Sequence, residues 1–296
     1  MVERNPATTI IGKEILPFEV GYLPEFFEKK AAAELNESQE LKTEKMNELK
    51  KLLREDKHSK SLIFIDEFLL MFLRVRKYNA EKAFHQIKSY IVVRKKNPNM
   101  FIDLRFDSIV KTIDNEIIYM LPWRCQNGCA ILVIQIENWD PDKFSVEEVK
   151  RSIVTYLLSS LRDPMTQVNG IKIIIDVKCN PIKYLKHATP NNLHLIYHAA
   201  QNICPIRYKE VHIINDSVLF RTAYAVIKHF LTEKIRRRLI FHEDSKSLLN
   251  YFPRSVLPKH YGGDLEKYDM TDWLKRSMVP EKIATIGGVT NWPSKK

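Results

Sequence analysis

A helix with almost no wet side constrains this chain more than any other feature. The stretch from Arg207 to His242 opens with the apolar strand candidate Val211-His212-Ile213-Ile214 and breaks at Asn215-Asp216-Ser217. It then continues as a predicted helix from about Val218 to Leu231. Phe220, Ala223, Tyr224, Ile227 and Leu231 share one helical face, while Leu219, Val226 and Phe230 form a second apolar row. Only a thin polar strip around Arg221 and Lys228 remains. Two apolar faces require two apolar neighbours: the protein interior, and a further layer of protein, a partner or a membrane surface. A helix buried in a core satisfies the same pattern. The cations Lys234, Arg236, Arg237 and Arg238 follow at once, either as a solvated basic run or as the charged companion of a lid that docks on anionic lipid.

The rest of the chain narrows the function classes. With 296 residues, 45% of them hydrophobic, it can bury a sizeable core as one large domain or a large domain with a smaller companion. No run of about twenty apolar residues occurs, and the first residues carry charges where a signal peptide would be apolar. A cytoplasmic protein that meets membranes transiently is therefore expected. Only Cys125, Cys129, Cys179 and Cys204 are present, which fits a reducing compartment. Cys125 and Cys129 flank Gln-Asn-Gly as half of a zinc site would, but no second pair follows, and His194 and His198 lack a glutamate between them. No metal and no cofactor are expected. A hydrolase would need an oriented nucleophile, yet there is no Gly-x-Ser-x-Gly elbow, phosphate-cradling loop or dinucleotide fingerprint, so no catalytic residue is assigned. Asp176, at a strand end, reads as a structural acceptor. The net charge of +11 implies an anionic partner. Zinc-finger spacing, an aromatic RNA-binding signature and a long basic arm are all missing, and the cations flank apolar segments, which favours a lipid surface over nucleic acid. Protein partners and oligomeric state stay open.

Periodicity divides the chain into an irregular leader over 1–21, a helical region over 22–100, a mixed strand-and-helix region over 101–264 and a tail over 265–296. In the second part, three amphipathic helices are predicted, over Leu35 to Leu53, Ser61 to Lys77, and from an Asn79 cap to about Lys96. Ile117 to Met120 and Ala130 to Ile136 read as a hairpin turning at Asn127-Gly128. A helix over Ser145 to about Leu161, the apolar strand Ile171 to Asp176, a helix over Thr189 to Asn202 and the strand at Val211 then alternate as a layered α/β domain does. Leu239-Ile240-Phe241 makes a short strand and Ser245 to Phe252 a short helix.

Several of these segments, in this order, resemble the CRAL-TRIO lipid-transfer family, in the branch of the tocopherol and retinaldehyde transfer proteins. The resemblance rests on Val211 to Asn215, on Ile227-Lys228-His229-Phe230-Leu231-Thr232-Glu233-Lys234-Ile235, and on Leu257-Pro258 with Tyr261-Gly262-Gly263. Asp66 to Leu70, Phe72-Leu73-Arg74, Asn138 to Pro141 and Asn169-Gly170 support it. It implies an α/β fold in which an N-terminal helical bundle precedes a mixed β-sheet domain with an apolar lipid pocket closed by a helical gate. The pocket it implies is lined by Ile153, Leu157, Ile171, Ile175, Ile196, Ala199, Ala200 and Val211, and by Phe220, Ala223, Tyr224, Ile227 and Leu231 of the gate. It also implies a phosphoinositide-binding cleft at Arg207, Lys209, Lys234 and Arg238. The implied function is non-enzymatic transfer of a small hydrophobic lipid, with gate opening at anionic, phosphoinositide-containing membranes. A phosphoinositide-reading scaffold is the alternative. Two departures stand out. Ser217 and His229 replace family prolines at the gate's ends, and Ile153 and Leu157 replace small hydroxyl residues. An unpaired ligand hydroxyl there would cost about 1–3 kcal/mol, which argues against tocopherol and leaves retinoids, carotenoids, sterols or a similar lipid.

Overall fold

The computed structural model describes residues 16–98, 109–179, 204–277 and 288–292, together with 183, 184, 187, 189 and 192. For Leu219, Ala223, Val226, Ile227 and Phe230 it describes the backbone alone. Among the described residues the N-terminal region carries four helices where the sequence suggested three: α1 (Glu25–Leu35), α2 (Gln39–Glu55), α3 (Asp66–Val75) and α4 (Ala80–Lys96). The residues 35–53, read as one helix, are divided because Asn36 adopts a left-handed φ of 60° and Ser38 caps α2, its hydroxyl accepting from Leu41 N at 3.2 Å. Asn79 caps α4 as expected, accepting from Lys82 N at 2.8 Å. Phe68, Phe72 and Tyr90 pack α3 on α4 with ring centroids 4.9–6.2 Å apart.

A short helix α5 (Val110–Asp114) leads into a five-stranded mixed sheet, with helices α6 (Val146–Ser160) and α7 (Pro164–Asn169) between its second and third strands. Strands β1 (Ile118–Met120) and β2 (Ala130–Gln135) pair antiparallel across the loop that turns at Gly128. β3 (Ile171–Asp176), β4 (Tyr208–Ile214) and β5 (Leu239–Phe241) then add in parallel in the order 1-2-3-4-5. The apolar run in β3 has its cause here, because the strand is covered on both faces. Ile171 and Ile173 join the core shared with α6 and the N-terminal helices, while Ile174 joins Ile131, Val133 and Ile214 against Leu248, Phe252 and Tyr261.

The connection from β4 to β5 is helix α8 (Val218–Ile227), a turn of 3-10 helix at Lys228–Phe230 and helix α9 (Glu233–Arg236). The long helix expected to reach Leu231 therefore narrows at its last turn. Its start is held by polar contacts: Asn215, at φ 56°, donates to Asp176 Oδ1 at 2.9 Å, and Ser217 Oγ accepts from Phe220 N at 3.1 Å. Asp216 takes two hydrogen bonds from Arg221 at 2.7 and 3.0 Å. The tail carries helix α10 (Thr271–Ser277), whose Trp273 meets Phe18 edge-on at 4.7 Å.

Candidate functional site

Helix α6 is fixed by a reciprocal cap in which Glu148 N donates to Ser145 Oγ at 3.2 Å and Ser145 N to Glu148 Oε2 at 2.8 Å. Ile153 and Leu157 then fall one turn apart on one face of this helix. Leu157 and Ile171 are buried, and Ile153, Ile175 and Val211 pack partly buried against the same apolar cluster. Register carries the surface across three strands, aligning Ile173 with Val211 and Leu239, and Ile175 with Ile213 and Phe241. Ile175 and Val211 remain only half-buried although each strand has a neighbour on either side. Phe220 and Tyr224 of α8 meet Phe241, with centroids 6.5 and 4.7 Å away, and Leu231 is half-buried. Phe241 is thus a residue that periodicity missed. Ile196, Ala199 and Ala200 lie outside the described residues, as do the side chains of Ala223 and Ile227. The outer side of α8 shows Val218 at 83% exposure, with Arg221, Thr222 and Ala225 also exposed.

Beside this face lies a crowded basic cluster, the cleft expected from the resemblance. Arg207 and Lys209, two apart along extended backbone, point the same way, and both reach Glu34 of α1: Arg207 Nη2 at 2.9 Å and Lys209 Nζ at 3.8 Å. Arg238 is locked in place by its carbonyl, which accepts from Val211 N at 2.8 Å. Burial and then repulsion from Arg238, Arg76, Arg207 and Lys77 hold the Lys234 ammonium below its ordinary pKa. Burial and then Arg207 do the same for both Lys209 and Arg238. The four cations expected from sequence therefore act on one another, and Arg76 and Lys77, from the turn after α3, add to the same field. Arg207 Nη1 is buried with no hydrogen-bond partner among the described residues. An unsatisfied buried guanidinium nitrogen amid like charges favours an anion. An open groove of about 720 Å³ lies between α1–α3 and α7, away from this face, and its Arg74 is already neutralised by Glu37 at 2.6 and 3.0 Å.

Residues 114–263 match the CRAL/TRIO domain family. The chain belongs to it. Over 245 residues it is 33% identical to mouse "Alpha-tocopherol transfer protein-like", covering 82% of this chain and 71% of that one. Mouse "Clavesin-2" is 31% identical over 262 residues, covering 87% and 79%. The solved structure titled "Crystal structure of Sfh5" superposes with a TM-score of 0.56 at 13% identity, covering 80% of this chain and 91% of that chain, a likeness of fold alone.

Within this CRAL/TRIO domain a buried polar chain ties together the strands that flank α8. Lys172 Nζ lies 2.6 Å from Glu210 Oε2, which shares a hydrogen bond with His212 Nε2 at 3.0 Å. His212 Nδ1 is 2.9 Å from His242 Nε2, and His242 Nδ1 is 2.7 Å from Ser247 Oγ. Burial pushes the His212 pKa down to about 4 against the opposing pull of Glu210, and burial lowers His242 as well. An unfolded chain would take up these protons near pH 6.5, so the native state loses stability as pH falls from there towards 4. Urea unfolding at pH 7 and pH 5 is expected to show a loss of about 2 kcal/mol that His212→Gln largely removes. An unchanged pH dependence in the variant would assign the loss elsewhere.

The thiols of Cys125 and Cys129 are buried on either side of the turn that leads into β2, where Cys125 N donates to Cys129 O at 3.0 Å. Hydrogen bonding from Cys129 holds the Cys125 pKa down and raises its own. Among the described residues no three His, Cys, Asp or Glu side chains converge as metal ligands would, and no helix is long and apolar enough to cross a membrane. Asp176 accepts from Asn215 and Lys178 and, at 3.2 Å, from Tyr261 OH, so its carboxylate is engaged structurally.

Proposed function

We propose that this CRAL/TRIO protein binds a small hydrophobic lipid beneath α8 and transfers it between membranes, without catalysing a reaction. In this reading α8 is the gate, and the pocket extends from Ile153 and Leu157 over Ile171, Ile175 and Val211 to Phe220 and Tyr224. The observation that carries it is the half-buried apolar surface of Ile175 and Val211, mid-sheet, on the face whose edge residue Phe241 meets Tyr224 of α8. Apolar surface of this kind is stabilised by about 25 cal/mol per Å² when a lipid covers it. The name of one relative, "Alpha-tocopherol transfer protein-like", agrees with a lipid carrier.

The basic cleft at Arg207, Lys209, Lys234 and Arg238 takes a phosphoinositide headgroup. Docking there sets Val218 and the outer side of α8 against the bilayer, where each nearby cation contributes about 1 kcal/mol against an anionic surface. An opened gate can then turn its apolar side into lipid instead of water, so membrane contact and headgroup binding favour release together. Apolar lining at Ile153 and Leu157 selects a ligand with no hydroxyl at that point.

Transfer of a fluorescent lipid to vesicles with and without phosphatidylinositol 4,5-bisphosphate tests the coupling. The wild type is expected to be stimulated by the bisphosphate, and Lys234→Ala with Arg238→Ala to lose most of that stimulation while retaining basal transfer. Full stimulation in the double variant would break the link between cleft and gate. Native mass spectrometry of the purified protein, followed by extraction of what it carries, identifies the ligand; an empty protein that still binds phosphoinositide vesicles would be a scaffold.

A further inference from the structure

The basic cleft already contains a negative charge of the protein's own. Glu34 stands on the last turn of α1, about 170 residues before the strand it meets, and its Oε2 is 2.9 Å from Arg207 and 3.8 Å from Lys209. Its Oε1 is 3.9 Å from Lys30. Burial alone would raise the Glu34 pKa, but Lys209, Lys30 and Arg207 together hold it below the usual carboxylate range. The carboxylate stays ionised whenever the cleft is free. Lys234 and Arg238, in contrast, have no ion pair among the described residues. The cleft is thus half neutralised from within, and the neutralised half is the Arg207 side.

We propose that Glu34 is the resident counter-ion of this cleft and that it sets selectivity for polyphosphorylated headgroups over singly charged ones. The inference rests on the headgroup reading given above. Any anion that reaches Arg207 Nη2 must displace the Glu34 carboxylate or lie beside it. A headgroup with one negative charge offers no more than the charge it replaces. A phosphomonoester carries about −1.5 to −2 and three acceptor oxygens, so it can take Arg207 from Glu34 and still engage Lys209. A second phosphate reaches Lys234 and Arg238, which a monoanion leaves unmatched. The Glu34 side chain is 37% exposed, so its ion pairs are of the weak, exchangeable kind and the carboxylate can turn out into water. α1 need not move, because Lys30 separately holds it to Asn169 Oδ1 at 2.8 Å.

The test is vesicle flotation with the full chain. One set of phosphatidylcholine vesicles carries phosphatidylinositol 4,5-bisphosphate, and a second carries phosphatidylserine at equal total charge. Soluble inositol 1,4,5-trisphosphate and inorganic phosphate, titrated by calorimetry, separate headgroup recognition from attraction to a surface. The wild type is expected to prefer the bisphosphate vesicles. Glu34→Gln should bind phosphatidylserine vesicles about tenfold more tightly, a change of about 1.4 kcal/mol, with a smaller gain on the bisphosphate, so that selectivity falls. Glu34→Asp, which keeps the charge but draws it back from Arg207, should fall between the two. A wild type that binds the bisphosphate while Glu34→Gln keeps the same selectivity overturns the counter-ion role and leaves the headgroup reading intact. A wild type indifferent to the bisphosphate removes both.

Discussion

Asp163→Asn is expected to destabilise the fold by about 3–5 kcal/mol, the cost of leaving a buried charge without its partner. The charge is Arg124, whose side chain is fully buried at the start of the sheet with its Nη2 3.2 Å from Asp163 Oδ1. Its other hydrogen bonds go to neutral acceptors: Phe18 O at 2.6 and 3.1 Å, Gly128 O at 3.1 Å and Thr166 Oγ1 at 3.1 Å. Burial lowers the pKa of Arg124 and Asp163 is the first group opposing it, so the carboxylate is what makes the charged form tolerable there. The same carboxylate accepts from Val20 N at 2.9 Å, Gly21 N at 3.0 Å and Met165 N at 2.8 Å, holding the incoming chain and the start of α7. Urea unfolding of Asp163→Asn, Arg124→Met and the double variant is the measurement. The double is expected to lose less than the sum of the singles, because removing both charges leaves none stranded. Strict additivity would show that the two side chains act independently.

Gly170→Ala is the second large effect, at least about 3 kcal/mol of destabilisation with weakened headgroup binding. Gly170 sits at φ +83°, and a Cβ built on it would lie 2.0 Å from the carbonyl oxygen of Arg207. That oxygen accepts from Ile171 N at 3.0 Å, so the close approach is the first rung of the β3–β4 ladder. Alanine must push β4 away at the residue whose guanidinium belongs to the basic cleft. Thermal unfolding and bisphosphate-vesicle binding of the variant are expected to fall together. Wild-type stability would mean that the strand end yields without strain.

The same residue shows why parts of this molecule were legible in its sequence. Asn169-Gly170 ahead of an apolar run marked β3, since a strand covered on both faces has no polar alternation to hide it. The crossover from Val211 to Phe241 was readable because each piece keeps its own period. α1 was not, because its Phe26, Phe27 and Ala31-Ala32-Ala33 make a weak stripe and the break at Asn36 to Ser38 resembles continuing helix when its cap cannot be seen. On the site, the spacing of Arg207 and Lys209 placed two cations on one side of a strand. Nothing local could add Glu34, Arg76 or Lys77, which reach the cleft from the N-terminal helices. Phe241 and the pairing of His212 with His242 depend on the register of a three-residue strand, and no pattern that short fixes a register. At the two ends of the α8 segment, where Ser217 and His229 stand, the chain has a hydroxyl cap at one end and a tightened 3-10 turn at the other.

The route from β4 through α8 to β5 has a mechanical corollary. The two strands are neighbours, joined at Val211–Leu239, His212–Ile240 and Ile213–Phe241, so the helix hangs like a bucket handle from two posts that are already fastened together. Swinging the handle outward breaks no rung between the posts. If α8 opens as proposed above, loading and unloading a ligand would leave that frame intact, and the pace of repeated delivery would fall to how long the molecule lingers on each surface it visits.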